Sequence, residues 1–290
     1  MIAPSCEPGH TSCAGCGMEI ALRLALDELG PDTVLAIPAG CAAVAMGAFP
    51  TASVRVPVLL HAFATTGATL SGIRAALDLG GREHVHVVGW AGDGATYDIG
   101  LQALSAAAER NENVIYACYD NEAYMNTGVQ RSSATPAGAW TTTTPAGKPE
   151  GHPKKDIIAI MAAHRVPYLA TLSVAYPADF RDKVRRAMAV RGFRFLLVQS
   201  PCPTGWRSAP HDSVRLARLG VTSGLFPLIE MDDGRAVRVS VEPTMEGLDT
   251  YLELQGRFAT LSAGQRAALA ARIAEDWRRL RAQAASTTQG

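Results

Sequence analysis

Two groups of residues have the types and spacing to do chemistry. The first is the turn Ala91-Gly92-Asp93-Gly94, which closes one apolar run, together with Asn121, which closes the next, 28 residues after Asp93. One crossover helix and one strand fill that separation. In a parallel sheet both residues then emerge at the carboxyl edge, the edge where α/β folds bind ligands. A carboxylate and an amide oxygen are hard ligands suited to Mg²⁺, which readily shares itself with a diphosphate. Gly92 and Gly94 let backbone amides approach the phosphates without side-chain obstruction. Gly-Asp-Gly alone is an ordinary turn. A strand before it, a helix after it and an asparagine at a second strand end make it a metal and diphosphate site.

The second group is sulfur. Cys13-Ala14-Gly15-Cys16 places two thiols within one turn of chain; Cys41 follows an apolar run, and Cys202 lies in Ser200-Pro201-Cys202-Pro203. Together these four can complete an all-thiolate site, a ligand set that zinc and a [4Fe-4S] cluster both accept. Zinc ribbons bring two Cys-x-x-Cys knuckles, whereas here there is one knuckle and two isolated cysteines, so the cluster is favoured. Cys118, inside an apolar strand, and Cys6, in a proline-flanked segment, read as packed thiols.

The elements that must position these residues alternate. Strand patterns cover 34–37, 54–60, 84–88, 114–119, 168–174 and 193–199, and helical patterns cover 16–29, 66–79, 99–110, 156–165 and 178–191. This alternation predicts an α/β fold, a doubly wound and mostly parallel sheet. From 121 to 153 the chain is rich in Thr, Gly, Ala and Pro with no apolar period, a length of loop that is usually functional or covered by a partner. Beyond Cys202, residues 225–229 and 236–239 around Asp232-Asp233-Gly234 predict a hairpin, and 262–283 an amphipathic helix with Ser262 and Gln265 as a capping box. The expected division is a cofactor-binding domain at 1–210 and a partner-docking arm at 211–290.

Composition narrows the function classes. The chain has 290 residues with 48% hydrophobic and 19% charged, enough for a sizeable core. Its 27 basic and 27 acidic side chains cancel, which leaves no long-range field for nucleic acid or an anionic membrane. The uncharged stretch 33–54 is broken by Pro38, Gly40, Gly47 and Pro50 and predicts no membrane span. The N-terminus shows no basic flank before an apolar run, so a cytoplasmic location with reduced thiols is expected.

On the Gly-Asp-Gly turn and its downstream asparagine the sequence resembles the thiamine diphosphate enzymes. With the cysteine quartet added, it resembles the β subunit of the 2-oxoacid:ferredoxin oxidoreductases, closest to the pyruvate branch. The stretches that carry the resemblance are Gly9-His10-Thr11-Ser12-Cys13-Ala14-Gly15-Cys16-Gly17, Trp90-Ala91-Gly92-Asp93-Gly94, 120–128 (DNEAYMNTG), 130–136 (QRSSATP) to 140–144 (WTTTT), and Pro201-Cys202-Pro203-Thr204-Gly205-Trp206. The resemblance implies that Cys13, Cys16, Cys41 and Cys202 ligate a [4Fe-4S] cluster near thiamine diphosphate. It further implies that Asp93, Asn121 and the carbonyl of Ala123 hold Mg²⁺, and that Asn126 faces the substrate. The implied reaction is decarboxylation of a 2-oxoacid, one-electron transfers through the cluster to ferredoxin, and capture of the acyl group by coenzyme A. The implied partners are α, γ and δ-type subunits, one of which supplies the carboxylate that activates the thiamine pyrimidine.

One stretch departs from the family. Pyruvate-type members read approximately Phe-Glu-Asn-Ala-Ala-Ala after the second strand, and this chain reads Ala62-Phe63-Ala64-Thr65-Thr66-Gly67-Ala68-Thr69. Small side chains there leave room for a branched or aryl 2-oxoacid, or mark drift on a partner-facing loop; pyruvate is the first expectation. A self-sufficient thiamine decarboxylase or synthase needs a second cofactor-binding domain for which the chain is too short. A bare iron-sulfur carrier has no use for Asp93, Asn121 or the polar loop.

Overall fold

In a computed structural model, six of the eight strands are the apolar runs read from sequence: β1 (Thr33–Pro38), β2 (Val58–His61), β3 (His86–Gly92), β4 (Val114–Asp120), β5 (Tyr168–Ser173) and β6 (Phe193–Gln199). The structure describes residues 6–145, 148 and 150–287. Residues 1–5, where the reading for an export signal begins, and 146, 147 and 149 in the polar loop lie outside the described residues. The hairpin strands β7 (Leu228–Asp232) and β8 (Ala236–Val241) complete one sheet of order β2-β1-β3-β4-β6-β5-β7-β8. β1 to β6 run parallel, and β7 is antiparallel to both β5 and β8.

β2 is shorter than the expected run over 54–60. Pro57 has no N–H to give the ladder, so pairing with β1 starts at Val58, and Val54 instead bridges Cys6. In β4, β5 and β6 every residue is buried, because helices cover both faces of the sheet. α1 (Gly17–Leu29) turns Met18, Ala21, Leu22, Ala25, Leu26 and Leu29 inward, an i, i+3, i+4 stripe. Burying each leucine stabilises the fold by roughly 1.5–3 kcal/mol. α1 packs on one face with a short helix α2 (Cys41–Ala45) and with α6 (Pro177–Ala189); α3 (Thr66–Leu79), α4 (Leu101–Glu109) and α5 (Ile157–Ala163) pack on the other.

Three helices after β6, α7 (Pro203–Trp206), α8 (Ser213–Thr222) and α9 (Leu248–Glu253), build a third core of Ala139, Trp206, Leu216, Tyr251, Leu252 and Phe258. The polar loop is pinned onto this core: Trp140 donates its amide to the carbonyl of Arg257 at 2.8 Å, and the Arg207 guanidinium stacks 3.3 Å over the Trp140 ring. The hairpin turns through residues 233–235, with Asp233 (φ 53°) and Gly234 (φ 61°) both at positive φ. The last helix, α10 (Ala263–Thr287), opens on the expected capping box, Gln265 N to Ser262 Oγ at 3.2 Å and Ser262 N to Gln265 Oε1 at 2.9 Å. It lies along β8 and sends Leu280 and Ala284 toward the second core. Among the described residues no helix is long and apolar enough to cross a membrane.

Candidate functional site

β3 and β4 are neighbours with Gly92 opposite Tyr119, so the residues that follow them, Asp93 and the pair Asp120 and Asn121, arrive together at the carboxyl edge. Asp93 is 1% exposed and Asn121 5%. The side-chain amide of Asn121 lies 2.8 Å from Asp93 Oδ1 and 2.8 Å from the carbonyl oxygen of Ala123. With the amide nitrogen on this side, both contacts are hydrogen bonds. Turning the same amide would bring its oxygen to this side, where a cation could take all three oxygens. A carboxylate, an amide oxygen and a backbone carbonyl are the hard donor set that Mg²⁺ takes, so these residues fit that ion.

The surroundings hold this triad in place. Ser132 Oγ donates to Asp93 Oδ2 at 2.5 Å. Burial, and then the neighbouring Asp120 carboxylate, push Asp93 well above the ordinary aspartate range. Gly94 has no room for a side chain, since a Cβ there would sit 2.3 Å from the Tyr124 ring. Tyr124 in turn donates to Asp98 at 2.7 Å and meets Phe63 at 6.0 Å between centroids, which brings the departing loop after β2 beside the turn.

Between the two asparagine-side donors sits Glu122, at φ 70°, a left-handed conformation that costs a non-glycine residue roughly 1–2 kcal/mol. Its carboxylate is clamped by Lys154 Nζ at 2.9 Å and Arg257 Nη2 at 2.6 Å. Lys154 also pairs with Asp120 at 2.6 Å, and Tyr97 donates to the same Asp120 oxygen at 3.0 Å. Burial raises the Glu122 carboxyl, but the two cations outweigh it and hold the group below the usual range. Trp206 Nε1 donates to the carbonyl of Asn121 at 2.8 Å. The polar loop and the C-terminal segment therefore fix the backbone that carries Asn121 and Ala123.

The cysteine quartet assembles at the same edge. Cys16 precedes α1, Cys41 is the first residue of α2, and Cys202 precedes α7. Gly17 donates its amide to the carbonyl of Pro201 at 3.0 Å, and a Cβ on Gly17 would lie 2.7 Å from the proline ring, so only glycine lets the knuckle and the Cys202 segment meet. Thr204 Oγ1 lies 3.9 Å from Cys13 Sγ, and Gly205 N donates to Cys202 Sγ at 3.5 Å. Burial, and then the charges of Cys202, Cys16 and Cys13, push the Cys41 thiol up to about 12. Burial, less the Gly205 amide and plus the neighbouring cysteines, pushes Cys202 up to about 11. The thiols raise one another and are of the type a metal-sulfur centre takes, but among the described residues no three His, Cys, Asp or Glu side chains stand in an arrangement that could hold a metal ion. Cys6 is apart from them, buried against Glu19 at 3.3 Å, and Cys118 is buried within β4. Asn126 is exposed at the tip of the turn that closes the Tyr124–Gln130 bridge.

With two asparagine-edge oxygens and the Asp93 carboxylate at a diphosphate turn, the comparison that decides the family is direct. Residues 38–198 match the family model described as "Thiamine pyrophosphate enzyme, C-terminal TPP binding domain". The chain is 47% identical over 283 residues to the ketoisovalerate oxidoreductase subunit VorB of Pyrococcus horikoshii, covering 94% of this chain and 91% of that one. It is 48% identical over 264 residues to the pyruvate synthase subunit PorB of Methanothermobacter thermautotrophicus, covering 90% and 91%. The chain belongs to the 2-oxoacid:ferredoxin oxidoreductase β-subunit family. It carries that family's thiamine diphosphate-binding domain. A solved 2-oxoglutarate:ferredoxin oxidoreductase from Magnetococcus marinus shares the fold, with TM-score 0.61 and 22% identity over 91% of this chain and 93% of that one. The matched domain includes Asp93, Asn121 and Cys41; Cys13, Cys16 and Cys202 lie outside it.

Ser132, Lys154 and Arg257 carry no sequence-derived role. Ser132 stands in a quoted motif, 130–136, but nothing in a serine's type announces a bond to an aspartate 39 positions earlier. Two lysines inside a proline-rich loop, Lys154 and Lys155, were the available signal for the first cation; Arg257 had none.

Proposed function

We propose that this chain holds the diphosphate end of thiamine diphosphate through Mg²⁺ on Asp93, Asn121 and the Ala123 carbonyl, and a [4Fe-4S] cluster on Cys13, Cys16, Cys41 and Cys202. The observation that supports the reading is the convergence of the Asp93 carboxylate, the Asn121 side-chain amide and the Ala123 carbonyl, at 2.8 Å contacts, beside a Gly-Asp-Gly turn. Thiamine diphosphate supplies the electron sink for decarboxylating a 2-oxoacid. Gly92 and Gly94 present backbone to the phosphates, and Ser132 orients the Asp93 carboxylate. Glu122, clamped by Lys154 and Arg257, holds the neighbouring carbonyl in register, and exposed Asn126 reaches the substrate. A cluster fits the sulfur quartet better than zinc does, because an oxidoreductase needs a one-electron carrier and zinc has no redox chemistry.

The substrate class is a short aliphatic 2-oxoacid, pyruvate first, with coenzyme A taking the acyl group and ferredoxin the electrons. A branched-chain 2-oxoacid is the second reading. It is favoured by the small residues Ala62, Ala64, Thr65 and Ala68 beside the site and by the ketoisovalerate relatives. α, γ and δ-type subunits complete the enzyme, one of them bringing the carboxylate that activates the pyrimidine, and residues 211–290 contribute to docking. Phe49, Leu59, Leu60 and Val44, exposed around the β2 edge, support a partner surface there. Six free thiols suit the reducing cytoplasm. The test is Asp93→Ala in the assembled enzyme, with thiamine, iron and sulfide determined after purification. Thiamine should be lost and the cluster kept; full thiamine content overturns the metal assignment. Initial rates on pyruvate, 2-oxoisovalerate and phenylglyoxylate then decide the substrate.

A further inference from the structure

We propose that the opposite, amino edge of the sheet carries an oxyanion site built on Arg194 and Arg74 and suited to a phosphate group. β3, β4 and β6 lie side by side, and their first residues share this edge. Arg194, second in β6, is 3% exposed. Its Nη1 donates to Asn113 Oδ1 at 2.5 Å and to the carbonyl of Gly192. Its Nε is buried without an acceptor, and among the described residues its Nη2 makes no hydrogen bond and its charge no ion pair. Nε and Nη2 form one side of the guanidinium plane, the fork that takes two oxygens of a phosphate or carboxylate at once.

A second guanidinium stands beside it. Arg74 on α3, also 3% exposed, donates to the carbonyl of Val85 at 2.8 Å and of Arg82 at 3.1 Å and pairs with Asp78 at 2.7 Å, yet its Nε too is buried without an acceptor. Both arginines line a cleft of about 240 Å³ together with His84, His86 and Arg191. Burial and then the charge of Arg74 push Arg194 down to about 10, and burial and then Arg194 lower His86. Against these cations stand Glu83, on the exposed rim, Asp32, which faces His86, and Asp78, already paired with Arg74. Folded chains avoid a buried charge without a partner, because its desolvation is uncompensated. An oxyanion seated on the Arg194 fork supplies the acceptors and the charge together. The cleft has room for a phosphoryl group carried on a small molecule as well as for the free ion. It lies roughly 20 Å from Asp93, the length of a seven-residue strand, so it is not the diphosphate turn.

The experiment is calorimetric titration of the native complex with inorganic phosphate and, separately, with ADP. Mg²⁺ and thiamine diphosphate are held at saturation so that the diphosphate turn is filled, and sodium chloride at matched ionic strength is the baseline. We expect saturable phosphate binding that weakens at least tenfold in Arg194→Lys, which keeps the charge and removes the fork. Arg191→Ala, an exposed change that leaves the fold intact, should weaken it several-fold. Tighter binding of ADP assigns the site to a carried phosphoryl group, and equal binding assigns it to the free ion. No saturable binding by the wild type, or unchanged affinity in both variants, overturns the proposal.

Discussion

Arg257→Met tests whether the C-terminal segment holds the metal-binding backbone. The substitution keeps an apolar stem to lie against Trp206, whose ring is 4.1 Å from the guanidinium, and removes the 2.6 Å pair with Glu122. Breaking a buried pair by deleting one partner costs about 3–5 kcal/mol. Here Glu122 is 12% exposed and keeps Lys154, which lowers the figure to about 2 kcal/mol by the same reasoning. Gln255, itself 1% exposed, loses the donor that Arg257 Nε brings to its Oε1 at 2.9 Å, and this adds about 1 kcal/mol. A total near 3 kcal/mol lowers the thermal midpoint of a chain this size by roughly 5 °C. Because Glu122 sits between Asn121 and Ala123 in a left-handed conformation, its release should also weaken thiamine diphosphate binding.

The assay is a double-mutant cycle of wild type, Glu122→Gln, Arg257→Met and the double variant, read by melting at one scan rate and by thiamine diphosphate titration. A coupling of at least about 1 kcal/mol in stability is expected, with both single variants binding the cofactor more weakly. Coupling below about 0.5 kcal/mol would mean the two side chains act independently. Undiminished cofactor binding in all variants would show that the clamp supports only the fold. Either result refutes the reasoning.

Serine at Cys13, Cys16, Cys41 or Cys202 should bleach or convert the cluster signal in the electron paramagnetic resonance spectrum of the reduced enzyme, whereas serine at Cys6 or Cys118 should leave it; an unchanged signal in a quartet variant removes that ligand. Glu28, on α1, is partly exposed; its partial desolvation raises its carboxyl, but Arg181 and Arg185 at 2.7 Å each outweigh this and hold it below the usual range. Glu28→Gln should therefore cost about 1 kcal/mol of stability above the ordinary glutamate pKa of about 4.3 and progressively less as pH falls below it; a cost independent of pH refutes the clamp. If Ala64 lines the substrate pocket, Ala64→Leu should depress turnover of 2-oxoisovalerate more than of pyruvate, and equal losses would place this loop away from the substrate.

The sheet was legible wherever a strand is buried on both faces. β4 and β6 are continuous apolar runs, and their observed ends lie within one residue of the sequence reading. β2 was misread over 54–60 because Val54 and Val56 are buried like strand residues while Pro57 breaks the ladder. The helices α2, α7, α8 and α9 escaped for a different reason. α2 and α7 are too short for a period to show, and the apolar residues of α8 and α9 face a third core that only tertiary contact with Ala139 and Trp206 creates. At the site, Asp93 and Asn121 were legible because strand ends and glycines leave a local signature. The clamp was not, since Arg257 reaches Glu122 across 135 residues.

The segments proposed to hold the two centres are joined through the first core, to which Tyr119 belongs. Cys41 and the diphosphate turn follow β1 and β3, which are neighbours in the sheet, and the space between them is filled from β4 by Tyr119. The Tyr119 hydroxyl is 3.5 Å from the Ala42 amide, next to Cys41, and a Cβ on Gly92 would meet the same ring at 3.1 Å. One buried aromatic side chain thus spans from the cysteine segment to Gly92. Trp206, following Cys202, reaches the other flank by its bond to the Asn121 carbonyl. A fold that needed only to hold a diphosphate could have left these segments anywhere along the carboxyl edge. If the cluster and the cofactor sit on these segments as proposed, the single packed ring between them suits single-electron transfer, which is fast only across short, packed distances.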